Sequence, residues 1–315
     1  RRQVMETLIK IALGFLLLVS AAAATGNYNC VNVDVYQEAI GNCITGDVNL
    51  AQITDASAFL IGSYNSVDQS MDLYADDNCL TGNGRETNLI QRADFVGNAS
   101  GSNNYICQDV DSLNAYCNSM TDSNLTQWTI LNADTIGSCN SVYQGTGSNA
   151  YDDCLTLSDL KQIVDFNVCA VGDDNCVDQW LYQEAGDNCL TISRLWQQTS
   201  KVANILGCWN NVEQNENYQY ADSNTLTGSV LNQVICESAQ ITGECNEVNQ
   251  GSCESIITSA YNNCLTNAGM LQSINSKALE AGCNNYIDHE IGLYTDCNII
   301  TGGTLTQMST VVSND

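Results

Sequence analysis

The sequence predicts an all-β fold: a β-solenoid of about 16 half-repeats, grouped as eight repeats of about 36 residues, with cross-β-like stacking of each repeat on the next. Three observations predict it. The chain repeats itself at a nearly constant spacing, and a missed period misassigns a whole fold. Inside each repeat the recurring residues are spaced by two, the period of a strand. The composition has no Pro and only 14% charged residues, and it is rich in Asn, Thr, Gly, Val and Ile, which suit helix interiors poorly. The alternative is an α-solenoid, since helix pairs also repeat at about 34 to 40 residues. Segments such as Leu190 to Gly207 can be drawn that way, but the residue types and the period of two speak for strands.

In chain order, the first element is a processing segment. Lys10 precedes an apolar run from Ile11 to Val19, then Ser20 and the four alanines Ala21 to Ala24. A charged start, a core too short to span a bilayer and an A-x-A site make up a secretory signal peptide. Residues 1 to about 24 are therefore expected to stand outside the fold, with Met5 as initiator and 25–315 as a single repeat domain. No later segment reads as a membrane span, so a secreted, extracellular chain is expected.

Two motifs alternate along the chain, one of them Leu-x-Gln. It holds Gln52, Gln91, Gln127, Gln162, Gln197 and Gln233, with Met270 to Gln272 as a variant and Leu305 to Gln307 as the last instance. The other is Asn-x-Val-x-Gln, holding Gln69, Gln108, Gln144, Gln179, Gln214 and Gln250, with Ile106 in the middle of one copy and His289 in the Gln place of the last. In the first repeat the matching residues are read as Val35 and Gln37. The Asn suits the turn entering the strand, because Asn tolerates left-handed conformations. An apolar residue followed by Thr closes the repeat at Thr45, Thr81, Thr121, Thr156, Thr191, Thr227, Thr266 and Thr301. In a stack, like residues lie over one another about 4.8 Å apart, and a Gln column can bond amide to amide. Such bonds satisfy buried polar groups that otherwise cost about 1 to 3 kcal/mol each.

Composition narrows the function. With 36 acidic and 9 basic residues the formal charge is −27. Without Arg1, Arg2, Lys10 and Glu6 the chain keeps 35 acidic and 6 basic residues, a net charge of −29. A polyanion of this kind repels nucleic acid and anionic membranes. One His cannot build a His-rich metal site, and no phosphate loop or nucleophile elbow is present, so no enzyme is expected. Seventeen Cys in an exported chain read as disulfide formers rather than zinc ligands, because their closest spacing is Cys169 to Cys176. The odd number leaves at least one thiol over.

The acidic pairs Asp76 and Asp77, Asp152 and Asp153, and Asp173 and Asp174 lie between motifs. They suit solvated turns, with Ca²⁺ or another divalent cation as the candidate ligand and no other cofactor expected. His289 is expected as a packed ladder residue. Tyr36, Tyr74, Tyr116, Tyr151, Tyr182, Tyr218, Tyr261 and Tyr294 read as one core or stacked column. Asn98 and Asn124 open glycosylation sequons.

Pro-free repeats with Asn and Gln so spaced resemble the curlin-type repeats of secreted amyloid fibres. The Cys-rich, acidic version is similar to the tubular sheath proteins of methanogenic archaea. The chain differs from curlin in lacking Gly-rich turns between motifs and in its many cysteines. The resemblance implies that Asn65, Gln69, Asn104, Gln108, Asn140, Gln144, Asn175 and Gln179 point inward, and that the protein assembles with itself. It also implies one Gln motif per layer and so an 18-residue rung. Disulfides would then join neighbours such as Cys30 and Cys43, Cys139 and Cys154, Cys176 and Cys189, Cys264 and Cys283, or Cys283 and Cys297. A 36-residue rung would instead stack Cys43 on Cys79 and Cys154 on Cys189. The expected function is a disulfide-braced, self-assembling extracellular fibre or sheath; the alternative is a secreted glycan-binding or glycan-cleaving β-helix.

Overall fold

The computed structural model describes residues 15–28, 30–45, 49–82, 87–214, 217–250, 256–283 and 286–314. The fold is a three-sided β-solenoid, with strands and no helix among the described residues. Each rung runs along a long sheet-A strand such as Leu50–Ile61, turns into a sheet-B strand such as Ser66–Asp76, and turns again through a three-residue sheet-C strand such as Cys79–Thr81. Pairing is parallel throughout and keeps the repeat register, apart from a one-residue bulge in Tyr105–Tyr116 against both neighbouring strands: Leu89↔Leu125, Gln91↔Gln127 and Thr81↔Thr121 face one another. Among the described residues sheet A has nine strands and sheet C has eight. Sheet B has eight rung positions, three of them split in two, as at Asn211–Glu213 and Asn217–Asp222.

The rung takes one full repeat, which overturns the 18-residue expectation. Ladder partners are 39 residues apart from Gln52 to Gln91 and 35 from Gln127 to Gln162. The two Gln motifs are thus two walls of one layer. Gln91 Nε2 reaches across the interior to the sheet-B carbonyls of Leu73 and Asn114, at 3.1 and 3.0 Å.

Strand alternation builds the core. The strand Ser123–Ile136 buries every second residue, including Leu125, Gln127, Thr129, Leu131 and Ala133. Among the described residues three large apolar clusters and a small one at Ile235 and Ile274 fill the interior, with the Gln columns between the large ones. One joins Leu89, Ala75 and Leu80; one joins Leu60, Val67 and Ala58 at the A–B corner; one joins Met71, Leu73 and Phe95. Burying one Leu or Phe stabilises by about 1.5 to 3 kcal/mol, so a short rung gains stability mainly through stacking on its neighbours.

Several expectations change. In the first rung Val31, not Val35, pairs with Val67, and Val33 stands opposite Gln69; Gln37 lies four residues further on and donates to Thr54 Oγ1 at 3.1 Å. The left-handed residue at the A–B corner is the one before the Asn, as at Tyr64 (φ 60°), Asn103 (φ 58°) and Asp174 (φ 56°). The Asn side chain itself is inside, stitching one rung to the next. The tyrosines form no single core column. They occupy several registers on the outer face of sheet B, with Tyr116 and Tyr151 stacked at 5.7 Å and Tyr36 61% exposed.

The full chain also stacks Phe15–Thr25, which was expected outside the fold, onto Leu50–Ile61, with Phe15 opposite Ala51. A parallel ladder asks little of sequence beyond strand-compatible residues, so an apolar segment can occupy its edge. Residues 1–14 lie outside the described residues.

Candidate functional site

The twelve expected ladder glutamines stand in two inward columns. In sheet A, Gln127 Nε2 donates to Gln91 Oε1 (3.0 Å), Leu113 O (2.6 Å) and Asn149 O (2.9 Å), while its own Oε1 accepts from Gln162 (2.9 Å). The column runs from Gln52 through Gln197 and Gln233 to Gln272 and Gln307. In sheet B, Gln108, Gln144, Gln179, Gln214 and Gln250 each donate to the preceding glutamine at 2.7 to 3.0 Å, starting from Gln69. His289 takes the next register position beyond Gln250, as expected, and its Nδ1 lies 2.9 Å from Ser276 Oγ.

Two corner columns went unread in the sequence. At the A–B corner, Gly62, Gly101, Gly137, Gly172, Gly207 and Gly243 lie over one another; a Cβ on Gly101 would sit 1.9 Å from Gly62 O. The three-residue step from each Gly to the ladder Asn was the available signal. At the B–C corner Asn42, Asn78, Asn118, Asp153, Asn188, Asn224, Asn263 and Asn298 form a column. Each of these Asn before Asn298 donates its main-chain N–H to the next residue's Oδ1, and Asn78 donates both N and Nδ2 to Asn118 Oδ1, at 3.1 and 3.0 Å. Nδ2 also reaches a main-chain carbonyl, as Asn188 does Ala150 O at 3.0 Å.

Asp153 is the exception within that column, and this corrects its reading as a surface cation ligand. It is fully buried; Oδ1 accepts from Asn118 N and Nδ2 at 2.8 and 2.9 Å, and Oδ2 has no partner. Burial pushes its carboxyl up to about 8, against the opposing pull of the Asn118 hydrogen bonds. A raised folded-state value means that the group's contribution is fully present below the unfolded value near 3.8. It declines as the pH rises and is lost at about 8. Asp153→Asn should therefore flatten the pH dependence of melting between pH 4 and 8. At pH 7 it should add about 1 to 3 kcal/mol by restoring the column's donor. Equal melting curves for both proteins across that range would refute this.

The other acidic residues divide between two corners. Asp76 and Asp77 lie with Cys117 of the next rung, their ligand atoms within 4.8 Å of one another, and Asp152 raises the Cys117 thiol, as does burial first of all. Asp173 and Asp174 sit at the A–B corner, where Asp173 Oδ1 accepts from Cys208 N at 2.7 Å. The sequence reading missed a further group on the outer face of sheet B. Asp109 is pushed up to about 7, by burial first and then by Asp111, Asp68 and Asp72. It also missed interior charge: Lys201 and Glu237 are register neighbours, both buried, with Lys201 Nζ on Gln179 O and Glu237 accepting from Asn217 Nδ2. Burial raises Glu237 to about 8, which Lys201 opposes.

The cysteine pairs named on the 18-residue rung do not stack. Cys30 and Cys176 are in sheet B, while Cys43, Cys154, Cys189 and Cys264 are in sheet C; Cys139 and Cys283 are at A–B corners, and Cys297 is at a B–C corner. The register instead stacks Cys43 on Cys79 and Cys154 on Cys189. No disulfide is formed among the described residues. Burial and the adjacent Cys189 thiol raise Cys154. An outward groove lined by Tyr182, Tyr220 and Tyr261 with Glu184, Asp222 and Asp296 lies along the sheet-B face.

Comparison with family models, with curated proteins and with solved structures finds no match for this chain.

Proposed function

We propose that the chain is a secreted structural protein that self-assembles through stacked β-rungs into an extracellular amyloid-like fibre or sheath braced by disulfides. The observation that carries this reading is the unbroken register of the sheet-A column from Gln52 to Gln307, which makes each rung a template for the next. The last described strand, Thr304–Asn314, keeps the motif at Leu305 and Gln307. Leu305, Met308, Val311 and Val312 are 41 to 56% exposed on it. A parallel strand exposed in this way is a template for another chain.

Purified mature protein, residues 25–315, should form polymers visible by electron microscopy, with a diffraction spacing near 4.8 Å along the axis. Divalent cations at the corner carboxylates should favour assembly, and chelator should weaken it. Protein that stays monomeric at high concentration, with or without Ca²⁺, would sink the reading.

Bracing is expected between Cys43 and Cys79 and between Cys154 and Cys189. Strand spacing of about 4.8 Å falls inside the disulfide Cα range of about 4.4 to 6.8 Å. Each bridge would add about 2 to 4 kcal/mol. Non-reducing peptide maps should show these two pairs, and maps with mostly free thiols would remove bracing from the proposal.

A second reading, glycan binding, draws on the groove of three tyrosines beside three carboxylates. It requires saccharide-dependent stabilisation of a protein that stays monomeric.

A further inference from the structure

Both glutamine ladders are interrupted at the first rung. Gln91, Gln127, Gln162, Gln233 and Gln272 each donate to the preceding Gln and to two carbonyls, whereas among the described residues Gln52 donates to one carbonyl, Tyr74 O, at 3.0 Å. The strand before it, Phe15–Thr25, sets Leu16 at the register position of Gln52, so no amide stands there. In sheet B, Val33 stands before Gln69, whose Nε2 has no partner. The strand Thr304–Asn314, at the other end of the described stack, carries the amide that the sheet-A column lacks: Gln307 donates to Gln272 Oε1 at 2.8 Å.

The strand inventory points the same way. Among the described residues sheet A has nine strands, against eight rung positions in sheets B and C. Copies stacked so that all three walls continue must each supply equal numbers to each wall, and one sheet-A strand is then surplus. Phe15–Thr25 is the one that lies in the expected export signal and the one without the ladder residue. Its four successive alanines are a strand-poor composition, whereas Thr304–Asn314 includes Val311 and Val312.

We propose that Phe15–Thr25 holds a seat for a second copy of this chain. Hydrolysis of the peptide bond after Ala24, by an export peptidase with solvent water, releases the strand and bares the edge of Leu50–Ile61. The Thr304–Asn314 strand of another copy then takes the vacated place. Leu305, Gln307, Ser309 and Val311 come into register with Leu50, Gln52, Thr54 and Ala56 of the next copy, and Gln52 gains its missing acceptor. At the same step Ile299–Thr301 meets Cys43–Thr45, and Asn298 is followed by Asn42, so sheet C and its Asn column continue. The contact is head to tail and does not close on itself, the geometry of a filament. With Phe15–Thr25 retained, sheet A would meet sheet A while the other two walls lacked a rung between copies. This inference rests on the proposed self-assembly and adds a trigger and an interface to it.

The test uses the full chain with a specific protease site placed after Ala24 and a photo-crosslinking amino acid at Met308, which the proposed register sets opposite Ile53 of the next copy. Copies labelled with different isotopes identify links between molecules. The uncut chain should remain dispersed, cutting should start elongation, and crosslinks should join position 308 to the peptide holding Ile53 of another copy. Gln307→Leu should slow elongation of the cut chain, and because it also removes the bond to Gln272 Oε1 it should lower the melting temperature of the uncut chain as well. Elongation of the uncut chain at the cut chain's rate, or crosslinks elsewhere in the polymer, would overturn the inference and leave self-assembly standing. Absence of polymer from both forms would overturn both.

Discussion

Gly137→Ala should disrupt the A–B corner of its own rung and of both neighbours. Gly137 has φ 128°, a region L side chains rarely adopt, and an added Cβ would sit 2.0 Å from Gly101 O. The obstacle is main chain and cannot rotate away. Relief requires the rungs to part, which strains the bonds from Gly137 N to Val171 O and from Gly101 N to Ile136 O, both 2.8 Å. Backbone strain and overpacking at about 1 to 3 kcal/mol each put the cost at about 2 to 6 kcal/mol. Gly41→Ala is the control, because its φ of 65° is left-handed but nothing lies within 4 Å of an added Cβ. Its cost should be near 1 kcal/mol, as expected for a left-handed residue in open space. Hydrogen exchange should show protection lost around Gly101, Gly137 and Gly172 but kept in distant rungs, since a solenoid couples mainly to its neighbours. Equal effects of the two substitutions would show that the close approach carries no cost.

Gln127→Leu, a change of similar volume inside the solenoid, should be strongly destabilising. It removes an amide whose two N–H groups serve three acceptors and whose oxygen accepts one bond, at a fully buried position. Leu113 O, Asn149 O and Gln91 Oε1 each lose a donor, and Gln162 Nε2 loses an acceptor. At about 1 to 3 kcal/mol per unsatisfied buried group, with partial relaxation, the loss is about 3 to 6 kcal/mol. Gln52→Leu should cost clearly less, because Gln52 donates one bond and already faces the register position of Leu16. Urea denaturation of the dispersed full chain, read by circular dichroism, compares the two variants. If Gln52→Leu cost as much as Gln127→Leu, the ladder's cooperative satisfaction would be disproved.

The alternation of Leu125, Gln127 and Thr129, and the return of Leu-x-Gln and of the Thr column, made strands, repeat and inward glutamines readable without coordinates. A parallel stack places residues of one type in one column, so column identity is written directly in the spacing. The corner columns were equally regular, yet Gly101 and Asn118 look in sequence like ordinary turn residues. Only the stacked backbone shows that Gly101 has no room for a Cβ and that the Asn118 side chain bonds the main chain of other rungs.

The sequence by itself determined the β-solenoid, the two glutamine columns and the Thr column, because each is a local period repeated many times. The rung length was decided only by the tertiary structure. Two Gln motifs about half a repeat apart are compatible with two layers or with two walls of one layer. The choice rests on the short third wall, Cys79–Thr81 and its equivalents, and on carbonyls such as Leu73 O and Asn114 O meeting Gln91 across the interior. That choice then decided which cysteines are neighbours. It also decided that Asp153 is inside and Asp152 outside: adjacent residues in an extended chain face opposite ways, and the corner sets which of them meets the Asn column.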